Sequence, residues 1–204
     1  MRPRNLSEFV GQSHIVGEKK FLRIAIESKK IPSMILWGPP GCGKTTLARI
    51  IANEVGFEFE SLSAVMGGVK EMRAIIDKAI QTYRMFSRKT ILFIDEIHHF
   101  NKSQQDALLP YVEAGDIILI GATTENPSFS INAALLSRCK VFVLKPLLPK
   151  EIKEIISLAL SDKERGIGEL NLKVSDEIID LIVHYSFGDA RRGLNLLEAS
   201  ATIA

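Results

Sequence analysis

The densest group of chemically capable residues is Gly-Pro-Pro-Gly-Cys-Gly-Lys-Thr at positions 38–45. It matches G-x-x-x-x-G-K-[ST] at each fixed position, follows the apolar run MILW and precedes a helix-like run. Glycines let backbone amides wrap phosphate groups closely, because no Cβ atom stands in the way. Lys44 would reach the β- and γ-phosphates, Thr45 would ligate Mg²⁺, and the N-terminus of the following helix would attract anions.

The stretch therefore predicts a site for nucleotide phosphates, and Cys42 would contribute only its backbone there. A glycine-rich turn with a chance lysine is the alternative, but it leaves the strand before and the helix after unexplained. The predicted nucleotide-binding residues of this stretch are Gly38, Pro39, Pro40, Gly41, Cys42, Gly43, Lys44, Thr45 and Thr46.

Two adjacent carboxylates follow a second apolar run, Ile-Leu-Phe-Ile at positions 91–94. Ligands of open parallel sheets bind at the carboxyl ends of the strands, where Asp95 and Glu96 would emerge. Asp95 would hold Mg²⁺ through its water shell. Glu96 would orient and deprotonate an attacking water, a role worth roughly 10²–10⁴-fold in rate. A solvated acidic pair in a loop is the alternative, but the glycine-rich stretch about 50 residues upstream favours ATP hydrolysis.

A single arginine, Arg138, lies between the helix-like run AALL and the strand-like run VFVL. Its immediate neighbours favour a cation at the C-terminal end of a helix, where the helix dipole stabilises positive charge. A guanidinium that reaches a γ-phosphate would instead stabilise the charge of phosphoryl transfer, worth about 10³–10⁵ in kcat. The local sequence leaves both interpretations open.

Composition places few limits on function. The 204 residues are 46% hydrophobic and 25% charged, with a formal net charge of +2, which is too small to indicate nucleic-acid binding by bulk electrostatics. Two cysteines offer neither a zinc pattern nor a disulfide framework. No signal peptide and no apolar run of membrane-spanning length is visible, so we expect a cytoplasmic protein without a membrane partner.

The first two-thirds of the chain alternates strand-like and helix-like runs, which predicts an α/β three-layer sandwich with a parallel sheet. Continuous apolar strands suit burial on both faces. The predicted strands are 33–38, 57–63, 90–94, 117–121 and 140–144, and a helix is predicted over 69–83.

After Leu144 the pattern becomes helical. The stretch KPLLPKE reads as a short linker, with Pro149 near a helix start and Asp189 as a helix N-cap. One predicted helix uses Ile178, Leu181, Ile182 and Tyr185 as its apolar face. We therefore expect a nucleotide-binding α/β domain over 1–145 and a small all-α lid domain over 146–204.

Together, GPPGCGKT and FIDEIH resemble the AAA+ ATPases, a P-loop NTPase family, and RPRNLSEFVGQSHIVG resembles their clamp-loader clade. The resemblance implies that Phe9, Val10 and Gly11 contact adenine. IGATTENPSF is similar to the sensor-1 segment, with Thr123, or alternatively Thr124, near the γ-phosphate. GDARRGLN is similar to the sensor-2 helix of the lid, with Arg191 in contact with the nucleotide.

LLSRC resembles the Ser-Arg-Cys motif of clamp loaders, which implies that Arg138 serves the nucleotide of a neighbouring subunit. DEIHHFNKSQQDALLPYVEAG together with GATTENPSF is most similar to the recombination ATPases related to Werner-helicase-interacting ATPases. That resemblance implies a homo-oligomer, associated with the bacterial nucleoid, that acts on single-stranded DNA ends or forks. It also implies single-stranded-DNA-binding protein as a candidate partner and a further helical region for oligomerisation. His99 departs from the pattern, which has arginine there.

Three alternatives remain at this stage. One is a Holliday-junction branch-migration motor, and another is a clamp-loader-type subunit that uses ATP as an assembly switch. The third is a protein-unfolding machine, which would need aromatic pore-loop residues that the stretch ESLSAVMGGVKE lacks.

His98 and His99 are adjacent in the sequence, and no further residues complete a set of zinc ligands with them. We therefore expect loop or supporting roles for these two histidines.

Overall fold

The computed structural model describes residues 1–203 and contains a five-stranded parallel sheet. Within these residues the strands are β1 (Met34–Trp37), β2 (Glu58–Ser63), β3 (Thr90–Asp95), β4 (Ile118–Thr123) and β5 (Lys140–Val143). Their order across the sheet is β2-β3-β4-β1-β5, and every neighbouring pair is parallel. The five predicted strands are confirmed, with small shifts at their ends.

Helices cover both faces of the sheet because successive strand residues point to opposite sides. Leu36 joins a core cluster on one face and Ile35 joins the cluster on the other. The first cluster includes residues of α1 (Ser13–Val16), α2 (Phe21–Glu27) and α3 (Lys44–Val55). The second includes residues of α4 (Val69–Phe86), which extends the helix predicted to end at 83.

Short elements connect β3, β4 and β5 on the face of α4. They are α5 (Lys102–Asp106), α6 (Leu109–Ala114), α7 (Pro127–Ser130) and α8 (Ala133–Leu136), and 3-10 turns occupy Leu6–Glu8, Ile97–His99 and Gly168–Leu170. The three-layer α/β sandwich predicted from the alternating pattern is therefore confirmed. Among the helices of residues 1–203, none is both long and apolar enough to cross a membrane.

Three longer helices follow the sheet: α9 (Pro149–Ser161), α10 (Asp176–Ser186) and α11 (Ala190–Ile203). They enclose a separate hydrophobic cluster that includes Ile152, Ile156, Ile179, Ile182 and Leu197. Pro149 occupies the first turn of α9, as predicted. The division into domains at residue 145 stays a prediction.

Of the predicted apolar face of α10, Ile182 is confirmed and the other three residues are wrong. Ile178, Leu181 and Tyr185 are 47%, 56% and 53% exposed, whereas Ile179 and Ile182 are buried. Apolar residues surround much of this helix, and the two neighbouring helices cover only the side that bears Ile179 and Ile182. Periodicity alone did not identify which side that would be.

Candidate nucleotide-binding site

The loop between β1 and α3 requires glycine at two positions. Gly41 and Gly43 have φ of +66° and +102°, a region that residues with a Cβ atom rarely adopt. A Cβ on Gly43 would lie 2.9 Å from the ring of Phe9, and one on Gly41 would overlap the carboxylate of Asp189. The glycines of the motif therefore allow two other segments to approach the loop backbone closely.

Lys44 is enclosed by this loop. The residue is 7% exposed, and its Nζ donates hydrogen bonds to the carbonyl oxygens of Gly38 at 2.7 Å and Pro39 at 2.9 Å. It is also the first residue of α3, so its ammonium lies near the positive end of a twelve-residue helix. Charge and helix N-terminus together make the loop suitable for an anion.

The two cysteines have no reactive character. Burial raises the pKa of the Cys42 thiol, and burial raises the pKa of Cys139 to about 12. Both thiols are therefore protonated at neutral pH. The backbone carbonyl of Cys42 accepts a hydrogen bond from Gln12, and its backbone contribution to nucleotide binding stays a prediction.

Asp95 and Glu96 lie at the carboxyl end of β3, two strands away from β1. Burial raises the pKa of Asp95, the neighbouring Glu96 charge raises it further, and Lys44 and Arg191 oppose the shift. Asp95 thus lies within electrostatic reach of Glu96, Lys44 and Arg191. Glu96 itself has φ of +51°, an uncommon backbone conformation for a residue with a side chain.

The two threonines at the end of β4 have different surroundings. Thr123 is fully buried, and its hydroxyl pairs with Nδ1 of His98 at 3.0 Å and accepts from the backbone N–H of Glu125 at 3.0 Å. Thr124 is exposed, and its hydroxyl donates to Oε2 of Glu96 at 3.4 Å. The geometry therefore favours Thr124 over Thr123 as the hydroxyl that faces the carboxylate.

His98 is a supporting residue whose contacts the sequence did not reveal. Its side chain is 8% exposed, and its Nδ1 lies 3.3 Å from Oε2 of Glu96 as well as close to Thr123. It consequently connects the ends of β3 and β4. The sequence feature that could have indicated this contact is the position of His98 three residues after Asp95. The 3-10 turn Ile97–His99 brings its ring near the end of β3.

Gln12 is a second residue that sequence reasoning missed. It is 4% exposed, and its amide Nε2 donates to the carbonyls of Lys145 at 2.7 Å and Cys42 at 3.3 Å. Its Oε1 accepts from the backbone N–H of Lys145 at 3.0 Å. One side chain therefore joins the N-terminal segment, the glycine loop and the linker.

The N-terminal segment lies between the loop and the start of the helical region. Phe9 packs against Gly43, and the space beside Gly11 is filled by Leu147 and Glu151. Val10 between them is half-buried. These three residues thus lie beside the glycine loop, and their contact with adenine stays a prediction.

The N-terminus of α11 contacts the glycine loop directly. The backbone N–H of Ala190 donates to the carbonyl of Gly41 at 3.2 Å, and the Asp189 carboxylate caps the helix by accepting from the N–H of Arg192 at 3.0 Å. The predicted N-cap is confirmed. Arg191 is thereby brought to the loop, whereas the guanidinium of Arg192 lies 4.9 Å from the centre of the Phe187 ring.

Arg138 has its contacts elsewhere. Its Nε pairs with the Glu113 carboxylate, and its Nη1 donates to the Ser137 hydroxyl at 2.8 Å and the Ala134 carbonyl at 3.3 Å. The side chain is 44% exposed. The structure therefore does not group Arg138 with Lys44 and Asp95.

A parallel sheet whose first strand leads through a glycine loop into a helix, with paired carboxylates at the end of β3, defines a P-loop nucleotide-binding protein. Residues 34–147 match the ATPase family associated with various cellular activities (AAA), and the chain belongs to this family. Family membership implies nucleotide binding, and it confirms the resemblance seen in the sequence.

Comparisons with known proteins extend over nearly the whole chain. It is 53% identical over 204 residues to replication-associated recombination protein A of Haemophilus influenzae, covering 46% of that protein. It is 47% identical over 198 residues to ATPase WRNIP1 of Dictyostelium discoideum, covering 97% of this chain and 22% of that protein. The chain thus spans less than half the length of these curated relatives.

Solved structures show the same fold. The Thermotoga maritima RuvB Holliday junction branch migration motor is 34% identical, with a TM-score of 0.77. The comparison covers 97% of this chain and 64% of that one.

Proposed function

We propose that this chain binds ATP with Mg²⁺ and hydrolyses it, with Glu96 as the general base. The observation that supports this most directly is the enclosure of Lys44 by the glycine loop, with the carboxylates of Asp95 and Glu96 at the carboxyl end of β3 in the same sheet. Lys44 and the loop amides would bind the phosphates. Arg191, brought in by the contact of α11 with Gly41, would add positive charge from the helical region.

Thr45 and Asp95 are suitable ligands for Mg²⁺. Hydroxyl and carboxylate oxygens are the donors that this ion prefers, and its small number of protein ligands fits such a pair. Burial and the Glu96 charge make the ionised form of Asp95 unfavourable, which a cation would offset. When bound, the ion neutralises phosphate charge, and the protein residues orient the triphosphate and the attacking water.

Glu96 would remove a proton from water while Thr124 and His98 hold its carboxylate. Both groups lie within 3.4 Å of Oε2, which leaves Oε1 free of these contacts. Thr124 would sense the γ-phosphate, and Thr123 would support the carboxylate from the interior through its contact with His98. This arrangement supports the second threonine, rather than Thr123, for the proposed sensor role.

The test is the variant Glu96→Gln. It should bind ATP with normal affinity and lose turnover by about 10²–10⁴-fold, since the amide cannot accept the proton. Glu60→Gln is the control, because Glu60 is 28% exposed against 33% for Glu96 and lies on β2, away from the site. Steady-state hydrolysis retained in Glu96→Gln would refute the assigned base.

We further propose that Arg138 acts in trans as an arginine finger on the nucleotide of a neighbouring subunit. Its partial exposure and its separation from the contacts of Lys44 and Asp95 support this role. Arg138→Ala should then lower kcat of the assembled protein by about 10³–10⁵-fold. Mixing it with Lys44→Ala subunits should restore activity, because each supplies what the other lacks. Normal hydrolysis by assembled Arg138→Ala would exclude the finger.

The biological setting that we propose is DNA replication and recombination. Two relatives named replication-associated recombination protein A are 53% and 55% identical to this chain over all 204 residues. The net charge of +2 predicts no general attraction to DNA, so binding would depend on local contacts. ATP hydrolysis by the full-length protein should rise on addition of DNA with single-stranded ends. An unchanged rate with every DNA structure would argue against this setting.

Two other functions remain testable. The likeness to RuvB favours a branch-migration motor, which would move four-way junctions in a strand-exchange assay. A clamp-loader-type assembly switch would instead bind ATP tightly and hydrolyse almost none, even with DNA present. Turnover stimulated by forked DNA, without junction movement, would favour the proposed function over both.

A further inference from the structure

The guanidinium of Arg138 is held through two of its three nitrogens. Arginine offers five N–H donors. The Nε group faces Glu113 of α6, and Nη1 donates to Ser137 and Ala134 at the end of α8. Within residues 1–203, Nη2 has no hydrogen-bond partner. Its two donors therefore remain available to an acceptor outside the chain.

Stability does not account for this arrangement. The Arg138 and Glu113 side chains are 44% and 48% exposed, and ion pairs of that kind add little to folding. Fixing a long arginine side chain also costs rotamer entropy. The chain has a matched pair elsewhere, Arg88 with Glu58, whose side chains are 56% and 44% exposed.

We interpret the Arg138–Glu113 pair as a contact that preorganises the guanidinium. A cation that is already oriented toward developing negative charge needs no rearrangement at the moment of reaction. The backbone before Arg138 is fixed as well, because Asn132 caps α8 by accepting from the N–H of Leu135 at 2.7 Å and donates to Asp106 at 2.6 Å. Glu113, together with the Nη1 contacts to Ser137 and Ala134, restrains the side chain.

We propose that Glu113 is a positioning residue that presents the Nη2 donors of Arg138 to the triphosphate bound by a second copy of this chain. The inference rests on the proposed trans role of Arg138. Glu113 acts through the arginine and contacts no nucleotide. Its removal should therefore lower the turnover of the neighbouring site and leave the affinity of its own site for ATP unchanged.

The test uses the full-length protein in its assembled form. Glu113→Ala should lower kcat by about 10- to 100-fold, the effect of losing one charged contact, with ATP affinity unchanged. Glu113→Gln keeps an oxygen that accepts from Nε–H and should recover kcat to within about threefold of the parent. Glu58→Ala, which breaks the matched surface pair, should leave kcat unchanged.

A mixing experiment separates positioning from a structural effect. Glu113→Ala subunits keep an intact nucleotide site, and Lys44→Ala subunits keep an intact Glu113–Arg138 pair. Mixtures should therefore hydrolyse ATP faster than either variant alone. A merely structural defect would lower ATP affinity or the melting temperature more than Glu58→Ala does, and mixing would not correct it. That result would overturn the proposal.

The remaining outcomes are distinguishable. If Arg138→Ala loses turnover and Glu113→Ala does not, the finger stands and Glu113 has no positioning role. If Glu113→Ala hydrolyses faster than the parent, the carboxylate restrains the arginine instead of presenting it, which also overturns the inference. If Arg138→Ala hydrolyses normally, the proposed finger fails and this inference fails with it.

Discussion

The glycine loop (residues 38–45) and the surface around Arg138, here called the Arg138 edge, hold their cations by different kinds of contact. Lys44 is 7% exposed, and backbone carbonyls of its own loop hold its ammonium. Arg138 is 44% exposed, and side chains from two short helical segments hold its guanidinium. One cation is fixed by local backbone geometry, whereas the other depends on tertiary contacts at the surface.

The difference indicates which steps a single chain can complete. The N-terminus of α11 contacts the loop within one chain, and Asp95 lies within electrostatic reach of Lys44 and Arg191 of the same chain. Arg138 makes its described contacts with Glu113, Ser137 and Ala134 instead, and its side chain is 44% exposed. Under the proposed mechanism, affinity for ATP is a property of the chain, and fast turnover is a property of the assembly.

Of the substitutions that test this difference, Lys44→Ala should have the largest effect, on the affinity for ATP. Loss of an enclosed ammonium removes charged contacts with the phosphates, which should weaken ATP binding by about 10²–10³-fold. Titration calorimetry measures the change. Lys78→Ala is the control, since Lys78 pairs with Glu60 on the surface. Unchanged affinity in Lys44→Ala would remove the basis for calling the loop the phosphate site.

A smaller effect should separate the two threonines. Thr124→Val should lower kcat by about 10- to 100-fold, because the hydroxyl beside Glu96 is lost while ATP binding remains. Thr123→Val should mainly lower the free energy of unfolding, by about 1–3 kcal/mol, because the buried partner His98 loses its hydrogen bond. Steady-state kinetics would measure kcat, and denaturant unfolding would measure stability, for both variants. Lost turnover in a fully stable Thr123→Val would return the sensor role to the first threonine.

Two glycine substitutions test whether α11 must touch the loop. Gly41→Ala and Gly56→Ala both place a Cβ at positive φ, of +66° and +73°, at a cost of about 1–2 kcal/mol. Only the Cβ of Gly41→Ala overlaps Asp189, since that of Gly56→Ala meets nothing within 4 Å. Gly41→Ala should weaken ATP binding by about tenfold, whereas Gly56→Ala should only lower stability. Equal affinities would show that the contact is dispensable.

The smallest effect should come from Arg165, a half-buried arginine away from the proposed site. The Arg165 side chain bonds Glu8 and lowers its pKa, and the backbone N–H of Arg165 has the largest effect in lowering the pKa of Asp162. Lowered carboxyl pKa values stabilise the fold above the ordinary values of 4.5 and 3.8, and this contribution is lost as pH falls below them.

Arg165→Met should therefore lower the melting temperature by no more than about 5 °C at pH 7 and by less near pH 3. Arg23→Met, which breaks a pair within α2, serves as the control. A pH-independent difference would mean that packing of the arginine stem, and not its charge, stabilises the contact.

Sequence patterns predicted what neighbouring residues determine. The glycine loop, the carboxylate pair and the five strands depend on local chain geometry and burial, and all were located correctly. Residues that act across long separations were missed: Gln12 bonds Lys145, and Glu113 pairs with Arg138, through contacts that exist only in the folded chain. The wrong face of α10 has the same origin, because helix period does not specify which side its neighbours will cover.

The junction at Gln12 has a practical consequence for spectroscopy. Because one amide bonds both the loop carbonyl of Cys42 and the backbone of Lys145, we expect a change in the shape of the loop to move the linker. A fluorophore on the helical region would therefore report loop rearrangement without touching the nucleotide. A cysteine introduced at the exposed Ser157 of α9 would suit this purpose, since burial keeps both native thiols protonated and poorly reactive.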